Sequence, residues 1–387
     1  MENRFETRCI HGNQAFGFEE GTRAVSFPIY QTATFGHIGL GKSTGYDYTR
    51  EKNPTRQRLE ETVSALEGAC DTVAFASGMA AVSACFELFG PGDHIICSED
   101  LYGGVIRLIR TVGSKNGLEV SFADTTQVQC IREQLRPQTR ALYIETPSNP
   151  MMNITDLCAC AELAREKGLL LIVDNTFLSP YLQNPLELGA DIVVHSGSKF
   201  LSGHNDTISG FVCCAACENG ERIRLLAKTT GGVLAPFDSW LVLRGLKTLS
   251  VRMERQQSNA QQVAQWLKGH RRVTRVFYAG LEEHPGYAVN RAGAGRGQHD
   301  LLPRGQRADG APRAGAGAAH HVCREPGRYR VAYHLPDAAD APRRAAGHAG
   351  AFGHHGDAAA AVSGAGARGG HHRGSCAGAG GLRHAAV

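Results

Sequence analysis

The first 290 residues alternate short apolar runs with stretches of helical pattern, and that alternation leaves few folds open. Thr72–Ala76, His94–Cys97, Leu118–Ala123, Ala141–Glu145, Leu169–Asp174 and Ile192–Val194 have strand length, and Gly210–Ala216 is a further run of small apolar residues. Helical patterns lie between them at Gly78–Phe89, Gly104–Val112, Thr126–Leu135 and Asp156–Lys167. Parallel neighbours need a crossover, usually a helix, and strands covered on both faces read as continuous apolar runs. The chain is therefore predicted to be α/β, with a mostly parallel central sheet and helices on both faces. A long amphipathic helix over Ser239–Leu267, with Leu241, Leu243, Leu246, Leu249 and Met253 on its apolar period, is predicted to leave the sheet.

Ligands in such sheets bind beyond the carboxyl ends of the strands. Two of the runs end in residues that matter there. Leu169-Leu-Leu-Ile-Val-Asp-Asn-Thr176 ends in Asp174, and Asp191-Ile-Val-Val-His-Ser-Gly-Ser-Lys199 leads through small residues to Lys199. A lysine and an aspartate so placed suit pyridoxal phosphate. The lysine forms the Schiff base, and the carboxylate keeps the pyridine nitrogen protonated so that the ring accepts electrons. Ser77-Gly78-Met79 stands between a strand and a helix, where free backbone N–H groups and the helix dipole favour a phosphate. Ser196 and Ser198 add hydroxyls beside the lysine.

Composition narrows the setting. No apolar run is long enough to span a membrane, and the charged start Met1-Glu-Asn-Arg-Phe-Glu-Thr-Arg8 lacks the apolar stretch of a signal peptide. Twelve cysteines in such a chain favour reduced thiols and a cytoplasmic location. Cys214 and Cys217 form a C-x-x-C without a second ligand pair at metal spacing, so no metal site is expected. The net charge of +4 arises in the last 97 residues, which hold 13 Arg against 5 Asp and 1 Glu. The folded body therefore carries no basic footprint for nucleic acid.

Those last 97 residues differ in kind. They contain 26 Ala, 20 Gly, 13 Arg and 10 His, and no Ile, Lys, Thr or Asn. Glycine at that level disfavours helix and strand alike. The genetic code suggests an origin. Reading Glu325–Ala341 one base later, with permitted third bases, allows SLGGTESLITYPMQQTH. His354–Arg373 allows TMETLLRLSVGLEHVEDIIA, and Gly293–Leu302 allows a third sensible segment. The three share one frame and keep their order, as expected if a base were gained, or two lost, near residue 291. The expected organisation is an N-terminal arm over 1–60, a large cofactor-binding domain over 61–250, the start of a smaller C-terminal domain over 251–290, and an out-of-frame tail over 291–387.

Several segments carry a family resemblance: Tyr46-Asp-Tyr-Thr-Arg-Glu-Lys-Asn-Pro-Thr55, Ala76-Ser-Gly-Met-Ala80, Asp100-Leu-Tyr-Gly-Gly104, Glu145-Thr-Pro-Ser-Asn-Pro150, Val173-Asp-Asn-Thr176 and Ser196-Gly-Ser-Lys-Phe-Leu-Ser-Gly-His204. Pro236–Thr248 and His284-Pro-Gly286 extend it. In these, the first 290 residues resemble the pyridoxal-phosphate enzymes of trans-sulfuration, and the shifted readings resemble that family's C-terminal domain. The resemblance implies the fold-type I architecture of that cofactor class. It implies that Lys199 holds the cofactor and moves protons, that Asp174 pairs with its ring nitrogen, and that Tyr102 stacks on the ring and assists near Lys199. Gly78, Met79, Ser196 and Ser198 are implied phosphate ligands, with Ser198 standing where the family usually has threonine. Asn149 is placed at the hydroxyl side of the ring and Glu145 in support. Tyr48 and Arg50 are implied to reach a neighbouring subunit's phosphate, so the site requires at least a dimer, and the family is usually a dimer of dimers. His195 and His204 are read as structural.

The implied chemistry acts on amino-acid substrates: O-acylhomoserine, cysteine or cystathionine. The reading favours cystathionine γ-synthase, with cystathionine β- and γ-lyases and O-acylhomoserine sulfhydrylases as alternatives. Methionine γ-lyases carry cysteine where this chain has Gly104, which disfavours that activity. The resemblance also implies an arginine in the C-terminal domain that grips the substrate α-carboxylate. In the shifted frame it falls over Ala360, so this chain is expected to be poorly folded or inactive, retaining at most cofactor binding.

Overall fold

The computed structural model describes residues 4–12, 24–293, 319–325 and 328–334. In chain order the elements are α1 Phe5–His11, α2 Pro54–Glu67, β1 Asp71–Phe75, α3 Gly78–Phe86, β2 His94–Ser98 and α4 Gly103–Leu108, which runs into a π-helical turn over Ile109–Gly113. They continue with β3 Glu119–Ala123, α5 Val128–Glu133, β4 Thr139–Glu145, α6 Leu157–Lys167, β5 Leu170–Asp174, α7 Ser179–Leu182, β6 Ile192–Ser196, β7 Gly210–Cys214 and α8 Cys217–Thr230. Then follow α9 Pro236–Leu246, α10 Leu249–Lys268, β8 Val273–Phe277, α11 Tyr287–Ala292, β9 Ala319–Glu325 and β10 Arg328–His334.

Seven strands form one sheet in the order β1-β7-β6-β5-β4-β2-β3. β7 alone runs against the rest, antiparallel to both β1 and β6. The sheet is thus mostly parallel, as expected, and the ends of β1, β2, β4, β5 and β6 that carry the site face the same way. Side chains alternate across it. Val173 and Val193 pack on one face with Leu59 and Val63 of α2, Leu246 of α9 and Leu249 of α10. Ile172 and Val194 pack on the other with Ala81, Val82 and Cys85 of α3 and Val105 of α4. Helix α2 starts where sequence dictates. Asn53 Oδ1 accepts from the amides of Thr55 and Arg56, Pro54 occupies the first turn, and Gly68 closes the helix at a φ of 72°.

Three expectations need correction. The long helix over Ser239–Leu267 is two helices, α9 and α10, with a break at Lys247–Thr248. The Thr248 hydroxyl donates back to the Gly245 carbonyl at 3.1 Å, and the second helix restarts from there. Apolar period alone does not register such a break, because both helices bury their leucines on the same face of the sheet. The cysteines are not all thiols either. Cys217 pairs with Cys70, 147 residues earlier and 5.4 Å away between Cα atoms, and not with Cys214. Burial pushes the Cys214 thiol up to about 12. Finally, the glycine-rich tail contains two strands, β9 and β10, in a second sheet of order β8-β10-β9. The tail's mean composition conceals a local exception. Tyr329, Val331 and Tyr333 recur at alternate positions after Pro326-Gly327, a strand pattern following a turn pair.

Gly245 ties α9 to the loop that carries Lys199. A Cβ at this position would lie 2.1 Å from the Ser202 carbonyl oxygen. Gly245→Ala is expected to lower stability by about 1–3 kcal/mol through overpacking. Chemical denaturation measures this, and an unchanged midpoint would contradict the packing described.

Candidate active site

The strand ends enclose a cavity of about 230 Å³, lined by residues from five stretches of chain and by Ile208 before β7. Ser77, Gly78 and Met79 enter from the β1–α3 turn, Tyr102 from the turn after β2, and Glu145 and Asn149 from β4 and its loop. Asp174, Thr176 and Phe177 follow β5, and Ser196, Ser198 and Lys199 follow β6. Lys199 and Asp174, far apart in local sequence pattern, open into the same space.

Asp174 lies deep in the molecule and open to the cavity. Its Oδ1 accepts from the Thr176 amide at 3.0 Å, and its Oδ2 faces the Tyr143 hydroxyl at 3.4 Å. Burial raises its pKa above the usual carboxylate range, and donors from Thr176, the charge of His195 and the Tyr143 hydroxyl oppose that rise. Burial pushes the Tyr143 phenol well up, with Asp174 adding to it, so Tyr143 remains a donor.

The turn that carries Lys199 is held by close backbone packing. Ser198 Oγ accepts from the Ser209 amide at 2.9 Å. Gly197 must be glycine, since a Cβ would lie 2.4 Å from both the Phe211 ring and Ser209 Oγ. The Ser196 amide donates to Thr176 Oγ1 at 2.8 Å, which fixes the β6 end to the β5 end. Lys199 itself donates its amide to the Ser196 carbonyl at 3.3 Å.

At the opposite wall, Ser77 caps α3 and accepts from the Ala80 amide at 3.1 Å. The amides of Gly78 and Met79 open that helix, where no intrahelical acceptor exists. A Cβ on Gly78 would lie 2.8 Å from the Ser196 Cβ, and one on Gly210 would lie 2.2 Å from the Ser77 carbonyl. Glycine at both positions lets the helix N-terminus reach the lysine loop. This is a cradle for an anion.

Glu145 has a definite supporting place. Its Oε2 accepts from the Tyr102 amide at 2.7 Å and its Oε1 from the Asn149 amide at 3.1 Å. One carboxylate thus sets the position of both neighbours. Gly104 lies beneath Tyr102, and a Cβ there would lie 2.4 Å from the tyrosine ring and 2.8 Å from Met79 Sδ.

Of the expected site residues, the cavity gathers Gly78, Met79, Tyr102, Asn149, Asp174, Ser196, Ser198 and Lys199. Tyr48 and Arg50 are elsewhere, on an exposed arm bridged at Thr34 and Tyr48. Tyr48 is 41% exposed, and the Arg50 guanidinium lies over its ring and donates to the Lys228 carbonyl. His195 does not line the cavity and is buried against Glu67. Sequence reasoning missed Thr176, Phe177, Val82 and Ile208 in the lining, and Tyr143 behind Asp174. Thr176, two residues after Asp174, is the one whose spacing could have revealed it, as a strand-end hydroxyl able to turn back.

The residues fit pyridoxal phosphate: an amine for the aldehyde, a carboxylate for the ring nitrogen, and a glycine-opened helix N-terminus for the phosphate. The profile of the Cys/Met metabolism PLP-dependent enzymes matches residues 6–298. Cystathionine gamma-lyase of Bacillus subtilis is 46% identical over 293 residues, which are 76% of this chain and 77% of that protein. Cystathionine gamma-synthase of Haemophilus influenzae is 47% identical over 261 residues, 67% of this chain and 71% of that protein. The crystal structure of cystathionine gamma-lyase from Lactobacillus plantarum complexed with L-serine matches with a TM-score of 0.74 at 42% identity, covering 76% of each chain. This chain belongs to the Cys/Met metabolism family of enzymes that depend on pyridoxal phosphate.

Proposed function

We propose that this site carries out γ-replacement on an O-acylhomoserine by cysteine, the reaction of a cystathionine γ-synthase. The observation that carries the reading is the convergence of Lys199 and Asp174 on one cavity beside the helix cradle of Gly78. Pyridoxal phosphate, when bound, supplies a cationic ring that draws electrons from the substrate's α-carbon. Lys199 would hold the cofactor through its amine, and the same amine would serve as the base for the proton on that carbon. A γ-reaction then needs a second proton removed from the β-carbon, a task the same amine would serve. Asp174 would hold the ring cationic, while the Gly78 and Met79 amides with the Ser196 and Ser198 hydroxyls would hold the phosphate. Tyr102 would lie against the ring and Asn149 would meet its hydroxyl side, both positioned by Glu145.

The exposure of Tyr48 and Arg50 supports their use by a second copy of the chain, with arginine suited to phosphate by its fork of donors. The proposed assembly is a homo-oligomer built from dimers and working in the cytoplasm. Relatives named as γ-lyases, β-lyases and γ-synthases share this identity range, so a lyase acting on cystathionine is the second reading. The space beneath Tyr102 supports neither cysteine at Gly104 nor the methionine γ-lyase that would carry it.

The family match stops at residue 298, where the alanine- and glycine-rich composition has begun. That coincidence supports a tail read out of frame, and with it the loss of the arginine expected for the substrate carboxylate. Loss of such a charged partner costs about 2–5 kcal/mol, or roughly 30- to several-thousand-fold in rate or binding. The chain is therefore expected to turn over O-acylhomoserine with cysteine more slowly than a frame-restored version by that factor. Equal turnover would contradict the reading. Assaying the restored protein with cystathionine alone separates γ-synthase from lyase.

Borohydride reduction of the chain loaded with pyridoxal phosphate is expected to leave a stable adduct on the peptide containing Lys199. Lys199→Ala should abolish it. An adduct spread over surface lysines, or retained in the variant, would remove Lys199 from its role.

A further inference from the structure

The carbonyls of the turn that delivers Lys199 can be accounted for one by one. Gly197 accepts from the Ser202 amide and Lys199 from the Gly203 amide, each at 2.9 Å, so two bonds close the turn on itself. The Ser202 carbonyl meets His204 Nδ1 at 2.6 Å. The carbonyls of Phe200 and Leu201, directly after the lysine, are met from outside the turn by a single side chain. Arg252, in the first turn of α10, donates Nη1 to the Phe200 carbonyl at 2.7 Å and Nη2 to the Leu201 carbonyl at 3.4 Å.

The same guanidinium reaches the junction of α9 and α10. Its Nη2 also donates to the Gly245 carbonyl at 3.0 Å, and its Nε to Thr248 Oγ1 at 3.1 Å. Arg252 stands four residues beyond Thr248, one helical turn on, which brings the two side chains together. Gly203 makes room for the head group: its φ is 71°, and a Cβ there would collide with Nη1. All four acceptors are neutral oxygens. A rigid fork of five donors can serve them at once, whereas an ammonium on a flexible stem is a point charge with three.

Other contacts hold the turn from the sheet. Ser209 fastens Ser198, and the Phe200 ring packs edge-on to Phe177, a cavity residue, with centroids 6.2 Å apart. Arg252 holds the turn from the helices. Its bonds fall on the two residues that follow the lysine and on the helix junction, and on none of the sheet strands. Its loss is therefore expected to show at Lys199 before it shows in the fold as a whole.

We propose that Arg252 is a positioning residue for Lys199: its guanidinium ties the lysine turn to the α9–α10 junction and so fixes where the amine stands in the cavity. Arg252 does not line the cavity, so it acts through the turn. The proposal rests on the pyridoxal-phosphate reading of that cavity, in which Lys199 meets the cofactor's aldehyde.

The test uses the full chain carrying Arg252→Met, which keeps an apolar stem and removes the fork. Two readouts are independent. Without cofactor, hydrogen exchange at the Ser202 and Gly203 amides is expected to quicken about tenfold or more, the equivalent of one charge-assisted hydrogen bond lost, while the amides of β5 and β6 keep their protection. With pyridoxal phosphate added, timed borohydride quenches follow the adduct on the peptide containing Lys199. Its rate of formation per folded molecule is expected to fall by a similar factor. Unchanged exchange at Ser202 and Gly203, or an unchanged adduct rate, overturns the proposal. So does exchange that quickens equally throughout the sheet, which would mark a tether for the fold and not for the lysine. If Arg252→Met does not fold, Arg252→Lys, which keeps the charge without the fork, takes its place in both readouts. An unmodified chain that forms no adduct at Lys199 refutes the reading of the cavity instead, and exchange in the turn still judges the tether.

Discussion

A carboxylate deep in the molecule, donated to by neutral groups, is the constraint on which the site depends. Asp174 ends a central strand with the Thr176 amide and the Tyr143 phenol for company, and burial works against its charge. Such a group is costly unless a cation completes it. Under the proposed function the cationic ring of pyridoxal phosphate would be that partner, received where the neighbouring strand delivers Lys199. On that proposal cofactor binding and charge compensation would be one event.

The rest of the fold serves to bring thin pieces of backbone together around that event. Gly78, Gly197, Gly210 and Gly245 all sit where a single Cβ would strike a neighbour within 3 Å. Three of the four bring the helix cradle and the lysine turn into register, and the fourth fastens the turn to α9. The switch of β7 to antiparallel gives the chain a return path, so that Ser209 can hold Ser198 from the next strand. The pairing of Cys70 with Cys217 joins the start of β1 to the start of α8, at the end of the sheet remote from the cradle.

How much of this was legible in sequence depended on the range of the interaction. The sheet, its parallel character and the strand-end positions of Asp174 and Lys199 follow from local apolar runs, and the residues beside Lys199 follow from small-residue spacing. Long-range pairs were not legible. Glu67 and His195 lie 128 residues apart, and nothing in either local pattern announces the other. Cys70 and Cys217 are hidden in the same way, behind a nearer C-x-x-C. The break between α9 and α10 was missed because both helices share one apolar face, and the β9–β10 pairing because mean composition outweighed a short alternation. Tyr48 and Arg50 stand apart from this chain's own cavity, and the role proposed for them rests on a second copy that a single chain does not contain.

The most direct test is the state of the cofactor's ring nitrogen in the bound protein. Reconstitution with pyridoxal phosphate carrying ¹⁵N in the ring, followed by NMR, reads that proton. The account predicts a protonated nitrogen in the chain as it stands and an unprotonated one in Asp174→Asn. A nitrogen unprotonated in both, or protonated in both, would contradict it.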